Sequence, residues 1–314
     1  MLVTFRNHSR VFWSRVGFSN PEYYWMKIVK SYLLEKKKLG LMFRWFLMYL
    51  FSRFTIFRYG MKLIPKNHRV QVEAKSEKSV SIFQDLNVEQ IVKSLKTDGF
   101  SLPIHLPKDV LGEILEFAKK SYLHGNGNRQ LGFSYQEKEK AEAKNGKPFI
   151  IGNYESASLC PVINKIAQDP KLIEIATKYL GQEPICRGSR LWWSFPVAAT
   201  SAEIIKVGKV FHYDLDDYNS LNFFFYLTDV DLHSGPHVCI RGSHKKKKLT
   251  HQLSLVRRRS DEEMLNYYGA ENIVTIYGEA GTGIAEDPFC FHKGTLPHSK
   301  ERLMLQIGFS MNSY

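Results

Sequence analysis

The sequence predicts an α+β protein in which helices flank an antiparallel β-core of jelly-roll type. Three observations carry this. From Pro184 to Phe309 the chain breaks into many short β-prone runs separated by Gly-rich turns, the pattern of a sandwich or jelly roll. From Asn87 to Gly181 the apolar residues recur instead at helical spacing. The first 69 residues are so basic and aromatic that they stand apart as an appendage.

That appendage, residues 1–69, holds almost all of the net charge of +13. It has fourteen basic residues against two acids, Glu22 and Glu35, so the remainder is nearly neutral and its charge says little about a substrate. Residues 39–58 are the most apolar part of the chain, but Arg44, Arg53 and Arg58 interrupt them. No eighteen-residue apolar stretch exists, which argues against a transmembrane helix. Two readings stay open. One is peripheral membrane contact through residues 36–62, with Lys36, Lys37 and Lys38 attracted to anionic lipid. The other is a helix packed on the core or on a second subunit. The absence of acids before Glu22 also leaves a mitochondrial transit peptide open, whereas no secretory pattern is visible.

Residues 70–86 are polar and aperiodic and read as a linker; residues 87–314 form the main domain. Within it, helices are expected at 87–95, 108–122, 160–168 and 170–180. Asp169 suits the N-cap of the last, Pro170 its first turn and Gly181 its end. Phe100–Pro103 reads as a first strand and 125–146 as a polar loop with a helical stretch near Glu137–Ala143. Strands follow at 185–195, 210–214, 221–227, 237–240, 272–277, 283–285, 289–292 and 302–309. Lys245–Lys248 and Arg257–Arg259 fall in an insertion ending in a helix near 261–268. They read as a solvated loop, and without interleaved aromatics no nucleic acid is expected. Cys160, Cys186, Cys239 and Cys290 show no paired spacing, which excludes a disulfide framework and fits a cytoplasmic protein, with peripheral membrane association as a variant.

The chemistry concentrates in Phe211-His212-Tyr213-Asp214 and in Phe291-His292. In an extended segment, residues i and i+2 share a face, so His212 and Asp214 reach one metal ion while Tyr213 points away. His292 is the best-placed third ligand. Two imidazoles and one carboxylate on one side of a metal suit non-haem Fe(II) with open positions for a cosubstrate and O2. Arg302, ten residues on, offers a planar cation for a carboxylate. Trp193, Asp217, Tyr218 and His298 are candidate contacts for a small-molecule substrate.

The order of these motifs, with Asp98-Gly99-Phe100 at the start, Ser234-Gly235-Pro236, Arg241-Gly242-Ser243-His244 and Phe291-His292-Lys293-Gly294, resembles the phytanoyl-CoA dioxygenase family of Fe(II)/2-oxoglutarate oxygenases over roughly 92–309. The resemblance implies a double-stranded β-helix of cupin type, iron held by His212, Asp214 and His292, and Arg302 on the far carboxylate of 2-oxoglutarate. It also implies Phe224 as a wall of that pocket, with Asn222 beside it as a hydrogen-bond donor. Related halogenases lack the carboxylate ligand; with Asp214 present, a hydroxylase acting on a small-molecule or lipid-linked substrate is expected. Two departures are Gly294, where the family often has a hydroxyl residue, and Arg241, where it has proline. The rival readings are a β-helix domain with another metal, and a non-catalytic domain with a membrane- or partner-binding N-terminal region.

Overall fold

A computed structural model describes residues 39–63 and 80–313. Residues from Tyr49 to Ser313 form one compact unit. Its centre is an antiparallel sheet of eight strands in the order β1-β9-β6-β11-β5-β4-β2-β3. These are β1 (Phe100–His105), β2 (Tyr122–Gly125), β3 (Gly132–Ser134), β4 (Ile151–Tyr154), β5 (Ile185–Ser194), β6 (Ser220–Tyr226), β9 (Thr282–Glu286) and β11 (Arg302–Ser310). A second sheet has the order β10-β7-β8, with β7 at His237–Ile240, β8 at Ile273–Ile276 and β10 at His292–Gly294. Two facing antiparallel sheets of this kind make the expected double-stranded β-helix.

Strand β6 is buried at every position. Phe223 and Phe225 join Leu191, Trp193, Leu303 and Leu305 in a core that continues into the helices Val88–Asp98, Lys108–Lys120, Pro161–Ala167 and Pro170–Leu180. Phe224 and Tyr226, of opposite phase, join Cys239, Ile276, Ile284 and Met304 in a second cluster. The helices begin and end as their sequence asks. The Asp169 carboxylate accepts from the N–H groups of Lys171 and Leu172, and Gly181 closes the helix in the left-handed conformation. Asp169 also holds the chain before the first core helix, through Ser81 Oγ at 2.9 Å and the Ile82 N–H at 2.8 Å.

The structure differs from the sequence reading in three places. β3 lies within the loop expected at 125–146, and β2 and β4 lie at and beyond its two ends where no strand was expected; they are three or four residues each, too short for alternation to show. The segment expected as a strand at 289–292 is a turn up to Cys290, and β10 starts at His292. Residues 210–214 are extended but make only isolated bridges, Phe211 with Arg259 and His212 with His292.

Of the region expected to touch either membrane or core, residues 36–38 lie outside the described residues. Residues 39–51 are helical, and a second helix spans Thr55–Lys62. Two of the arginines that interrupt the apolar run, Arg53 and Arg58, are ties to the core, and Arg44 is exposed. Arg58, 5 % exposed, meets Asp287 at 3.0 Å and stacks 4.0 Å over Phe289. Arg53 donates to the Tyr49 and Ser254 carbonyls. Among the described residues no helix is long and apolar enough to cross a membrane.

Burial would raise the Asp287 pKa, but Arg58 foremost holds it below the usual carboxylate range. Breaking a buried ion pair from one side typically costs about 3–5 kcal/mol. Arg58→Met should therefore lower stability to urea by an amount of that order at neutral pH. Because the folded carboxyl is the stronger acid, this contribution is present above the unfolded pKa and disappears as pH falls through the folded one. The difference between wild type and variant should shrink accordingly in acid, and a pH-independent difference would contradict the pairing.

Candidate metal centre

One backbone bridge builds the site. His212 and His292 exchange both of their backbone hydrogen bonds, at 3.0 and 2.9 Å. Residues paired in this way present their side chains on one face, and the two imidazole rings stand 4.5 Å apart, tilted by 58°. Asp214 joins the same face two residues on, its N–H fixed by the Pro288 carbonyl at 2.8 Å. Tyr213 points away, fully buried and edge-on to Phe289 and Phe291. Ligand atoms of His212, Asp214 and His292 all fall within 4.8 Å of one another.

The hydrogen bonds behind the rings assign their free nitrogens. Nδ1 of His212 donates to the Val210 carbonyl at 2.8 Å, and Nδ1 of His292 to the Cys290 carbonyl at 3.0 Å. In the neutral rings both Nε2 atoms are then left with a lone pair, and that of His292 lies 3.7 Å from the Asp214 carboxylate. Two neutral imidazole nitrogens and a carboxylate oxygen at this separation fit a divalent transition metal. Burial first, then the neighbouring His292, lowers the His212 pKa to about 4, which keeps it a neutral donor.

The sequence reading missed Glu286, which ends β9. It is fully buried, 3.0 Å from Nδ1 of His292, 2.6 Å from Nε2 of His237, and accepts from Cys239 Sγ at 3.0 Å. Burial would raise its pKa, yet His292 and His237 hold it below the usual range. Burial would likewise lower His292, and Glu286 and Asp214 raise it instead. His237, Cys239 and Glu286 themselves stand close enough to hold an ion. Their mutual hydrogen bonds and the contact to His292 make them a brace behind the ligand. A charged residue at the end of the apolar run Gly283-Ile284-Ala285 was the available signal. The Arg241–His244 turn also serves the site, because Ser243 Oγ accepts the Phe291 N–H at 2.8 Å. Gly99 (φ +86°) packs where a Cβ would strike Cys290 Sγ and the His244 ring, so the Asp98-Gly99-Phe100 motif closes the back of the site. Cys290 is a packed thiol, its pKa pushed up to about 12 by burial.

A cavity of about 790 Å³ opens in front of the three ligands. Arg302, 2 % exposed, lies in its wall, donates to the Gly235 carbonyl, and leaves Nε without a partner. Lys209, 8 % exposed, stands beside it and donates to Ser194 Oγ at 3.2 Å; Ser194 is the β5 residue paired with Arg302. Burial, then Arg302, drives the Lys209 pKa well down. Among the described residues neither cation has a carboxylate partner. A Cβ on Gly294 would sit 3.2 Å from Arg302 and 3.3 Å from Lys209, so glycine keeps the space between the two cations open. Lys209 lies in a short apolar run without a motif, and sequence reasoning did not find it.

Other expected residues fall into two groups. Phe224 lines the cavity. Asn222 shares its strand face but lies beyond the cavity, buried, with Oδ1 unpaired near Arg187. The four substrate candidates lie elsewhere. Trp193 points to the helix side, donating to the Tyr154 hydroxyl, and its neighbour Trp192 faces the cavity. Asp217 is buried and clamps the Met311 and Asn312 N–H groups, whereas Asp216 reaches the cavity and pairs with Arg187 at 2.7 Å. Tyr218 follows that clamp outside the cavity, and His298 is exposed beside His233.

The resemblance read from the motifs is matched by comparison with known proteins. The family model described as Phytanoyl-CoA dioxygenase (PhyH) matches residues 158–302. No curated protein matches the chain. Among solved structures, AviO1 from Streptomyces viridochromogenes Tue57 is 13 % identical, with 75 % of this chain and 98 % of that one covered and a TM-score of 0.46. The non-heme alpha ketoglutarate dependent epimerase SnoN from nogalamycin biosynthesis is 15 % identical over 71 % and 82 %, with a TM-score of 0.48. EctD from S. alaskensis with bound Fe is 17 % identical over 72 % and 76 %, with a TM-score of 0.46.

If Glu286 orients His292, Glu286→Gln should weaken Co(II) or Fe(II) binding by about ten- to hundredfold while the circular dichroism spectrum stays unchanged. Equilibrium dialysis reads this directly. Unchanged affinity would reduce Glu286 to a packing role.

Proposed function

We propose that the protein is an Fe(II)- and 2-oxoglutarate-dependent oxygenase acting on a small, anionic or lipid-linked molecule. One observation carries the proposal. A cavity has a two-histidine, one-carboxylate donor set on one wall and, on another, buried Arg302 and Lys209 without carboxylate partners among the described residues. His212, Asp214 and His292 would hold the iron. Bound there with 2-oxoglutarate and O2, iron supplies C–H oxidation, the keto acid being consumed to succinate and CO2.

The chain's own residues set the stage for that chemistry. Arg302 gives the far carboxylate of the cosubstrate a cationic seat with the Lys209 amine beside it, and Gly294 leaves room for it between them. Burial of a guanidinium and an amine without acids stores a desolvation cost that an incoming carboxylate relieves. Phe224 and Met304 bound the cavity with apolar surface. Asp214, with a third of its side chain exposed, marks the open side of the metal site. There Arg187, Arg190, Arg257 and Arg258 line the cavity while Asp214 and Asp216 are its acids, a balance that suits an anionic substrate. Ser194, the strand partner of Arg302, places a hydroxyl against Lys209 at the same wall.

Turnover of labelled 2-oxoglutarate to succinate and CO2, dependent on added Fe(II), tests this reading. Arg302→Ala should raise the KM for 2-oxoglutarate by at least about tenfold, the equivalent of ~1.4 kcal/mol of binding free energy, with metal content unchanged. Lys209→Met should raise it in the same direction. A wild-type KM matched by Arg302→Ala would remove the assigned role, and absence of Fe(II)-dependent succinate would remove the oxygenase reading.

A further inference from the structure

The insertion between β7 and β8 carries a charge run that the metal site does not use. Residues 232–260 contain no acid, and neither do residues 49–63. The insertion is not a uniformly solvated loop. Lys247 turns inward and is buried, its ammonium 3.6 Å from the centre of the Phe291 ring and 4.0 Å from that of Tyr213. This anchors the run directly behind His292. Lys245, Lys246, Lys248 and Arg258 face solvent.

The apolar residues of the same insertion also face solvent. In the short helix Leu249–Leu253 and the residues after it, Leu249 is 62 % exposed, Leu253 61 %, Leu255 68 % and Val256 63 %. The segment before and within the Thr55–Lys62 helix lies alongside. The Thr55 N–H donates to the Gln252 side chain at 3.3 Å, Arg53 to the Ser254 carbonyl at 3.3 Å, and Arg257 stacks over Tyr49. That neighbour adds exposed Ile56 (75 %) and Phe57 (44 %). Two hydrogen-bonded segments thus present large aliphatic and aromatic side chains among lysines and arginines, with no acid in either. Leu255, Val256, Arg257 and Arg258 belong at once to this surface and to the lining of the metal cavity.

We propose that this surface docks the protein on an anionic lipid bilayer, with the metal cavity opening toward the headgroups. Charge complementarity selects the occupant. Apolar side chains ringed by cations suit a layer with hydrocarbon beneath and negative charge above; an apolar protein partner would leave the cations unmatched. That a substrate then enters from the lipid phase rests on the oxygenase reading; the docking itself does not.

The full chain, sedimented with vesicles, tests it. Binding is expected to phosphatidylcholine vesicles containing about one-third phosphatidylglycerol, not to phosphatidylcholine alone, and to weaken with salt. The double substitution Ile56→Ser with Leu253→Ser should cut the bound fraction at least tenfold. Replacing Lys245, Lys246 and Lys248 by Glu should do so independently. None of these residues lines the metal cavity, so Co(II) affinity serves as the control for folding. Failure of the wild type to bind anionic vesicles overturns the proposal, as does full binding by both variants. So does self-association that the same substitutions abolish in the absence of vesicle binding, which would assign the surface to a second copy. The readout needs no cosubstrate, so it stands or falls apart from the oxygenase reading.

Discussion

The reciprocal pair of backbone hydrogen bonds between His212 and His292 is the constraint on which the rest depends. The two histidines are eighty positions apart in sequence, and neither belongs to a long strand. Their rings meet because one bridge sets register, and register sets which face each side chain takes. A slip by one residue would turn Tyr213 toward the metal and bury Asp214 among Phe289 and Phe291. The aromatic cluster around Tyr213 therefore guards the chemistry as much as the fold, since it penalises the slipped alternative. Behind the bridge, the Val210 carbonyl holds the His212 ring, the Cys290 carbonyl and Glu286 hold the His292 ring, and Ser243 holds the backbone of Phe291.

Charge in the unit is sorted by location. Asp287, deep in the core, is matched by Arg58 and by the Tyr179 hydroxyl at 2.6 Å. Glu286 is matched by two histidines. Lys247 rests on the rings of Tyr213 and Phe291 and Arg53 on backbone carbonyls, whereas Arg302 and Lys209, also without acids among the described residues, line the open cavity. A buried guanidinium lacking a carboxylate partner costs several kcal/mol, and because Arg302 lies in the cavity wall with Nε unpaired, an incoming carboxylate can supply that partner. The same N-terminal segment whose arginines tie it to the core turns its apolar side chains outward. Of the two readings its sequence left open, packing on the core is seen at Arg53 and Arg58, while Ile56 and Phe57 stay exposed.

Much of this was legible in the sequence. Period-two spacing placed His212 and Asp214 together, and the Asp169-Pro170 cap located a helix to the residue. Other features were not legible, for physical reasons. β5 is apolar on both faces where it carries Trp192 and Trp193, so its phase is not readable and the wrong tryptophan was assigned to the cavity. Asp216 and Asp217 pose the same problem in an irregular segment, where no periodicity applies. β2, β3 and β4 are too short to show a pattern. Lys209 and Glu286 act through partners distant in sequence, and a single charge within an apolar run announces its importance without naming its partner.

The central claim is that the three ligands and the paired cations serve one bound pair, Fe(II) and 2-oxoglutarate. An anaerobic visible spectrum tests it most directly. Apo-protein mixed with Fe(II) and then with 2-oxoglutarate should develop a weak absorption band that requires both additions and is absent in His292→Ala. No band in the wild type, with no iron retained after gel filtration, would contradict the account and leave the cavity to another metal or to none.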